Sequence, residues 1–129
     1  MPGITLTLSG APDTALASRL SRELTELTAR VLDKQPSQTM VIVRFVDAGL
    51  WVIECESLES LGRNSFRLEV TITDETTTVE QKRRYQREAY DLLSGHIGNV
   101  HPHSNVHLID VRATAYGYGG VPQSAKLWS

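Results

Sequence analysis

The chain has 129 residues, a single cysteine and a formal net charge of −2. That length suits one domain with a buried core, and the charge offers no basic footprint for nucleic acid. No stretch approaches the ~20 apolar residues of a membrane span. The first residues lack a charged segment followed by an apolar one, and Cys55 alone cannot form an internal disulfide. The expectation is a cytoplasmic protein with neither a nucleic-acid nor a membrane partner.

The first element begins at Pro2. Ile4, Leu6 and Leu8 alternate with Thr5, Thr7 and Ser9, which predicts a half-buried strand. Once Met1 is removed, Pro2 becomes a secondary amine at the head of that strand. Apolar surroundings disfavour its protonated form and lower its pKa towards neutrality, where a general base works best. With Met1 retained, the nitrogen is a tertiary amide and takes no proton. A Met-Pro start without any function is the bland alternative.

Gly10-Ala11-Pro12-Asp13 is a turn whose Asp13, or its neighbour, is placed to cap a helix. From Thr14 to about Asp33, Leu16, Leu20, Leu24, Leu27 and Val31 step by three or four along one helical face. Pro36 ends this helix by disfavouring helical backbone in the residue before it. Thr39 to Val46 is β-branched and mostly apolar, a buried strand. Strand, helix and strand make a βαβ unit with parallel strands. Leu50 to Ile53 is a short apolar segment, and Glu54 to Asn64 reads as an irregular connector.

The pattern then repeats. Phe66, Leu68, Val70 and Ile72 alternate with polar residues up to Thr73. Thr77 with Glu80, or Thr78 with Gln81, has capping-box spacing. The predicted helix runs from Thr78 to Ser94, with Val79, Tyr85, Ala89, Leu92 and Leu93 inward and Gly95 and Gly98 at its end. A strand over Val106 to Ala113 follows, then the glycine-rich Tyr116-Gly117-Tyr118-Gly119-Gly120, suited to a tight hairpin. Ile4 to Ser9 matches Leu68 to Thr73 at an offset of 64 residues, and Pro36 matches Pro102 at 66. Offsets so close indicate a duplicated βαβ unit. We therefore expect one α/β (α+β) domain over 1–129, with units over 2–60 and 65–123. Its four-stranded mixed sheet would carry two helices on one face. The other face, still apolar, would be left open, which implies association.

The N-terminal proline, the duplicated unit and the stretch Ala113 to Gly120, with an aromatic residue before Gly-x-Gly-Gly, together resemble the tautomerase superfamily of 4-oxalocrotonate tautomerase and macrophage migration inhibitory factor. The likeness runs from Pro2 to about Gln123 and includes the helix start Thr77 to Lys82. It implies a cofactor-independent isomerase that assembles as a homotrimer. Pro2 would move a proton between carbon and oxygen of a small enol or α-keto acid. The resemblance also points to Lys34, His107 and Tyr116 as substrate-binding residues. Each has a plainer reading: Lys34 as a solvated cation at a helix end, His107 as a strand histidine without a role, Tyr116 as hairpin packing. Trp51, in the corresponding place of the first half, is expected in the core or a trimer interface.

The family's pocket arginines are missing. The turns Gly10 to Asp13 and Asp74 to Thr77 hold none, and the second carries two carboxylates instead. Dehalogenation and decarboxylation of small anionic acids are disfavoured accordingly. Arg44, Arg67 or Arg112 could supply a cation, with no pattern choosing among them. His101 and His103 could share one side of an extended segment, but no cysteine or acidic residue lies at ligand spacing, so no metal is expected. The alternative function is a non-catalytic interaction or signalling protein on the same scaffold.

Overall fold

The computed structural model describes residues 2–126; Met1, whose removal the Pro2 amine requires, lies outside the described residues. Strand β1 (Gly3–Ser9) leads to helix α1 (Thr14–Leu32) and strand β2 (Met40–Val46). A hairpin of β3 (Val52–Ile53) and β4 (Glu56–Ser57) precedes the short helix α2 (Leu58–Leu61). The second unit has β5 (Phe66–Thr73), α3 (Val79–Ile97) and β6 (Asn105–Val111). A second hairpin, β7 (Gly117–Tyr118) and β8 (Val121–Pro122), is followed by α4 (Gln123–Lys126).

The four long strands form one sheet in the order β2-β1-β5-β6. Each unit contributes a parallel pair, with Gly3 beside Met40 and Arg67 beside Asn105, and the units join through antiparallel β1 and β5. Thr5 faces Glu69 across that central pair, and the register runs symmetrically outward from there. The two units are thus related by a pseudo-two-fold axis through the middle of the sheet.

One sheet face is covered by both long helices. Ile4, Leu6, Leu8, Phe66, Leu68, Val70 and Ile72 are buried with the α1 residues Leu20, Leu24, Leu27 and Val31 and the α3 residues Tyr85, Ala89 and Leu93. The leucine stripe read from the sequence lies inward because its three- and four-residue spacing returns each side chain to one side. Thr28 and Tyr85, both buried, join the helices through a 2.9 Å hydroxyl–hydroxyl hydrogen bond. Nearer solvent, Arg30 pairs with Glu88 at 3.0 Å and His96 with Glu23 at 2.8 Å.

The helix starts follow their caps. The Asp13 carboxylate accepts from the Leu16 amide at 3.0 Å, and Thr78 with Gln81 forms the capping box. Gly95 does not end α3. The helix runs through it to Ile97 and is closed by Gly98, whose N–H donates to the Ser94 carbonyl at 2.9 Å. Val79, expected inward, is 69% exposed because it sits in the first turn, beyond the end of the sheet-facing stripe. The connector after Ile53 is more regular than its polar composition suggests. Glu54 and Cys55 take positive φ at the tip of the first hairpin, and the Ser57 hydroxyl caps α2 through the Ser60 amide.

The uncovered face is mixed rather than apolar. Met40, Ile42 and Ile109 are exposed towards its margins. By strand alternation, Thr5, Thr7 and Thr71 occupy its middle, with Arg44, Arg67, Glu69 and His107 among them. No helix among the described residues is long and apolar enough to cross a membrane.

Candidate active site at the head of the first strand

Pro2 is buried where β1 begins, with its carbonyl accepting from the Met40 amide at 3.3 Å. The first position of a strand suits proline, which has no N–H to give to a ladder. Beside it lies a cavity of about 320 Å³, walled by Ser37, Gln38, Thr39 and Met40 on one side and by Gly117 and Tyr118 on the other. The first wall is the short turn after Pro36; the second is the hairpin β7-β8 from the far end of the chain. Met40 and Tyr118 make much of this surrounding apolar, an environment that holds an amine neutral.

Hairpin chemistry explains why that far wall comes so close. Gly119 and Gly120 both have positive φ, 63° and 79°, between the paired residues Tyr118 and Val121. A two-residue loop with two positive φ angles matches the right-handed twist of its strands. Gly117 is required for another reason. A β-carbon there would lie 1.8 Å from the Val121 carbonyl oxygen and 2.8 Å from the Pro122 α-carbon.

Tyr118, and not Tyr116, lines the Pro2 cavity. The Tyr116 hydroxyl instead makes a hydrogen bond with the Thr73 hydroxyl at the end of β5, which ties the hairpin to the sheet. Tyr116 also accepts the Gln123 amide on its carbonyl at 2.7 Å. Lys34 belongs to the same neighbourhood. Its Nζ donates to Thr76 Oγ1 at 2.8 Å, and Thr76 donates to the Thr73 carbonyl. Partial burial lowers the Lys34 pKa from its usual 10.5, against the opposing pull of the Asp33 carboxylate. Lys34 and Tyr116 are thereby linked through Thr73 and Thr76, each a few residues along the chain from one wall of the Pro2 cavity.

His107 is placed elsewhere. It lies on the edge strand β6 opposite Glu69 and lines a separate groove with Arg83, Arg87 and Tyr90. A single chain therefore does not bring His107 to Pro2. Neither do Arg44 and Arg67 reach it: they converge with Trp51 on another cavity, at the Thr7 end of β1. Thr7 is five residues from Pro2, about 17 Å along an extended strand. The His101 ring accepts the His103 amide on Nδ1 at 2.9 Å. Among the described residues, no three His, Cys, Asp or Glu side chains converge as metal ligands would.

Tyr118 and the Ser37–Met40 wall escaped the sequence reading. A signal for Tyr118 was present, since Gly119-Gly120 as a two-residue loop makes Tyr118 and Val121 the pair that flanks it. The Ser37 wall had none, because its place depends on β2 lying beside β1.

No protein-family profile matches the chain, and no curated protein matches it either. Solved structures do. A wild-type fused 4-OT that forms a symmetric trimer superposes with a TM-score of 0.80 at 16% identity, covering 96% of this chain and 98% of its own. A protein crystallised after inactivation by 2-oxo-3-pentynoate gives 0.82 at 13% identity, covering 95% and 98%. A macrophage migration inhibitory factor-like protein from Entamoeba histolytica gives 0.72 at 13% identity, covering 94% and 97%. With both chains covered almost end to end, this protein shares the duplicated βαβ fold of these fused 4-OT and macrophage migration inhibitory factor-like structures.

Proposed function

We propose that the protein is a cofactor-independent tautomerase acting on a small enol or α-keto acid, with Pro2 as general base and then general acid. The observation that carries this reading is the burial of Pro2 against a cavity closed by Tyr118 and the glycine hairpin. With Met1 removed, the neutral amine takes the enol hydroxyl proton and the resulting ammonium delivers a proton to the α-carbon. One proton moves from oxygen to carbon, and the amine is regenerated. Tyr116 holds the hairpin in place through Thr73, and Lys34, held by Thr76 in the same hydrogen-bonded chain, is the cation for a substrate carboxylate.

A homotrimer belongs to the same proposal, supported by the trimeric fused 4-OT that shares the fold. His107 then serves from an edge strand as a group one copy can present to another. A reducing, cytoplasmic location suits the exposed free thiol of Cys55. A second reading, a non-catalytic interaction protein, is favoured by one specific feature: among the described residues, no arginine lines the Pro2 cavity.

An intact-mass measurement comes first and should show the loss of one methionine. Ketonisation of phenylenolpyruvate is then followed by absorbance for wild type and Pro2→Ala. A general base is worth ~10²–10⁴ in rate, so Pro2→Ala should lose at least about 10²-fold. Retained Met1, or equal rates for the two proteins, would remove Pro2 from the chemistry. A wild type with no rate above background would leave the interaction reading in its place.

A further inference from the structure

The duplication makes a second cavity. It encloses about 480 Å³ at the opposite end of β1 and is lined by Arg44, Trp51, Arg67, His103 and Asn105, among others. These positions are the counterparts of the Pro2 site. The offset of 64 residues carries Gly3 onto Arg67, and since Gly3 pairs with Met40 as Arg67 pairs with Asn105, Gln38 and Met40 of the first cavity correspond to His103 and Asn105 of the second. The hairpin β3-β4, entered through Trp51, closes this cavity as β7-β8 closes the first. At the position of Pro2 itself the second unit has Phe66, a fully buried residue in mid-chain. Its nitrogen is an amide, so this cavity cannot perform the proton transfer of the first.

Its chemistry is that of binding. Among the described residues, Arg44 has no carboxylate partner; its guanidinium makes one hydrogen bond, from Nη2 to Thr7 Oγ1 at 3.3 Å. Arg67, by contrast, is held by Glu69 at 3.3 Å. The charge of Arg67 is thus balanced within the cavity, while most donors of Arg44 remain for a ligand. Trp51, Leu50 and Val46 add apolar surface beside it, and Glu54 brings a carboxylate to the tip of the hairpin. A planar guanidinium recognises a carboxylate through two parallel N–H donors, and an indole favours a flat apolar group.

We propose that this cavity is a second, non-catalytic site for a small monocarboxylate with a planar apolar body, its carboxylate held by Arg44 and its body laid against Trp51. The site is independent of proton transfer at Pro2.

The test is a titration of the full-length protein, in its native assembly, with 2-naphthoate. Binding is read from the Trp51 indole N–H resonance, assigned with Trp51→Phe, and affinities come from calorimetry. Arg44→Gln should weaken binding about tenfold, as expected for loss of a charge-assisted hydrogen bond. Glu54→Gln should strengthen it, because a like charge leaves the rim; this variant keeps the test decisive if Arg44→Gln disturbs folding. Pro2→Ala should leave the affinity unchanged. The inference is overturned if the Trp51 resonance does not move, or if neutral 2-naphthylmethanol binds as tightly as 2-naphthoate. Binding abolished by Pro2→Ala but untouched by Arg44→Gln overturns it too, since the ligand would then occupy the first cavity alone.

Discussion

Replacing Gly117 by alanine adds one methyl group at the place where the last hairpin meets Pro2. The new carbon would stand 1.8 Å from the Val121 carbonyl oxygen, 2.7 Å from the Val121 carbonyl carbon and 2.8 Å from the Pro122 α-carbon. All three are backbone atoms, so no side-chain rotation relieves the contact. Carbon and oxygen need ~3.3 Å even in the closest ordinary approach, so β7 and β8 must part by more than 1 Å, a shift of ~1.5 Å. Overpacking of this kind costs ~1–3 kcal/mol, mostly local, since the hairpin stands outside the main core. The functional effect should be the larger one. Gly117 and Tyr118 form one wall of the Pro2 cavity, and misplacing a catalytic surround by about 1 Å costs up to ~10²-fold in rate. Gly117→Ala should therefore lower kcat/KM for phenylenolpyruvate by ~10–10²-fold while far-ultraviolet circular dichroism and oligomeric state stay as in wild type. A variant with kcat/KM within about twofold of wild type would refute the argument that this hairpin shapes the site.

Three further outcomes follow from the structure. Gly95→Ala should stabilise the protein by ~0.5–1 kcal/mol, read as a higher Tm, because Gly95 is helical with open space around its would-be β-carbon and its extra freedom is lost on folding. Tyr85→Phe removes a buried hydroxyl bond to Thr28, which keeps its own bond to the Leu24 carbonyl at 2.7 Å; the cost should be ~1 kcal/mol by urea unfolding. The same tyrosine should govern alkaline stability. Burial raises its pKa from 10.0 to about 12, so the folded state keeps a proton that the unfolded chain gives up. Its contribution is complete below pH 10 and is lost as the pH rises towards 12, so wild type should lose stability there more steeply than Tyr85→Phe.

Periodicity and end signals sufficed for the framework, because each depends on residues within a few positions of one another. Ile4, Leu6 and Leu8 alternate whatever they later pair with, and the α1 leucines share a side in any helix. Asp13, Thr78 and Gln81 cap through bonds to amides three residues away. The duplication was also legible, since matching spacings need no three-dimensional knowledge. Gly95 marks a limit of this local reading: glycine is a frequent stop, yet packing of Leu93 and Ile97 against the core carries α3 through it.

The cavities belong to the tertiary structure alone. Pro2 and Tyr118 are 116 positions apart in the chain, and only the sheet order β2-β1-β5-β6 with its returning hairpin brings them together. Tyr116 and Tyr118 look interchangeable as letters; which one faces Pro2 and which one ties to Thr73 is settled by the β7-β8 pairing and the twist of its two-glycine loop. Among the arginines, pattern made no choice, whereas parallel and antiparallel register set Arg44 and Arg67 on one face of the sheet, beside Trp51. Local chemistry thus decided which elements form and where they stop. Which side chains share a cavity was decided by long-range strand pairing, because register sets both the face and the height of every residue on the sheet.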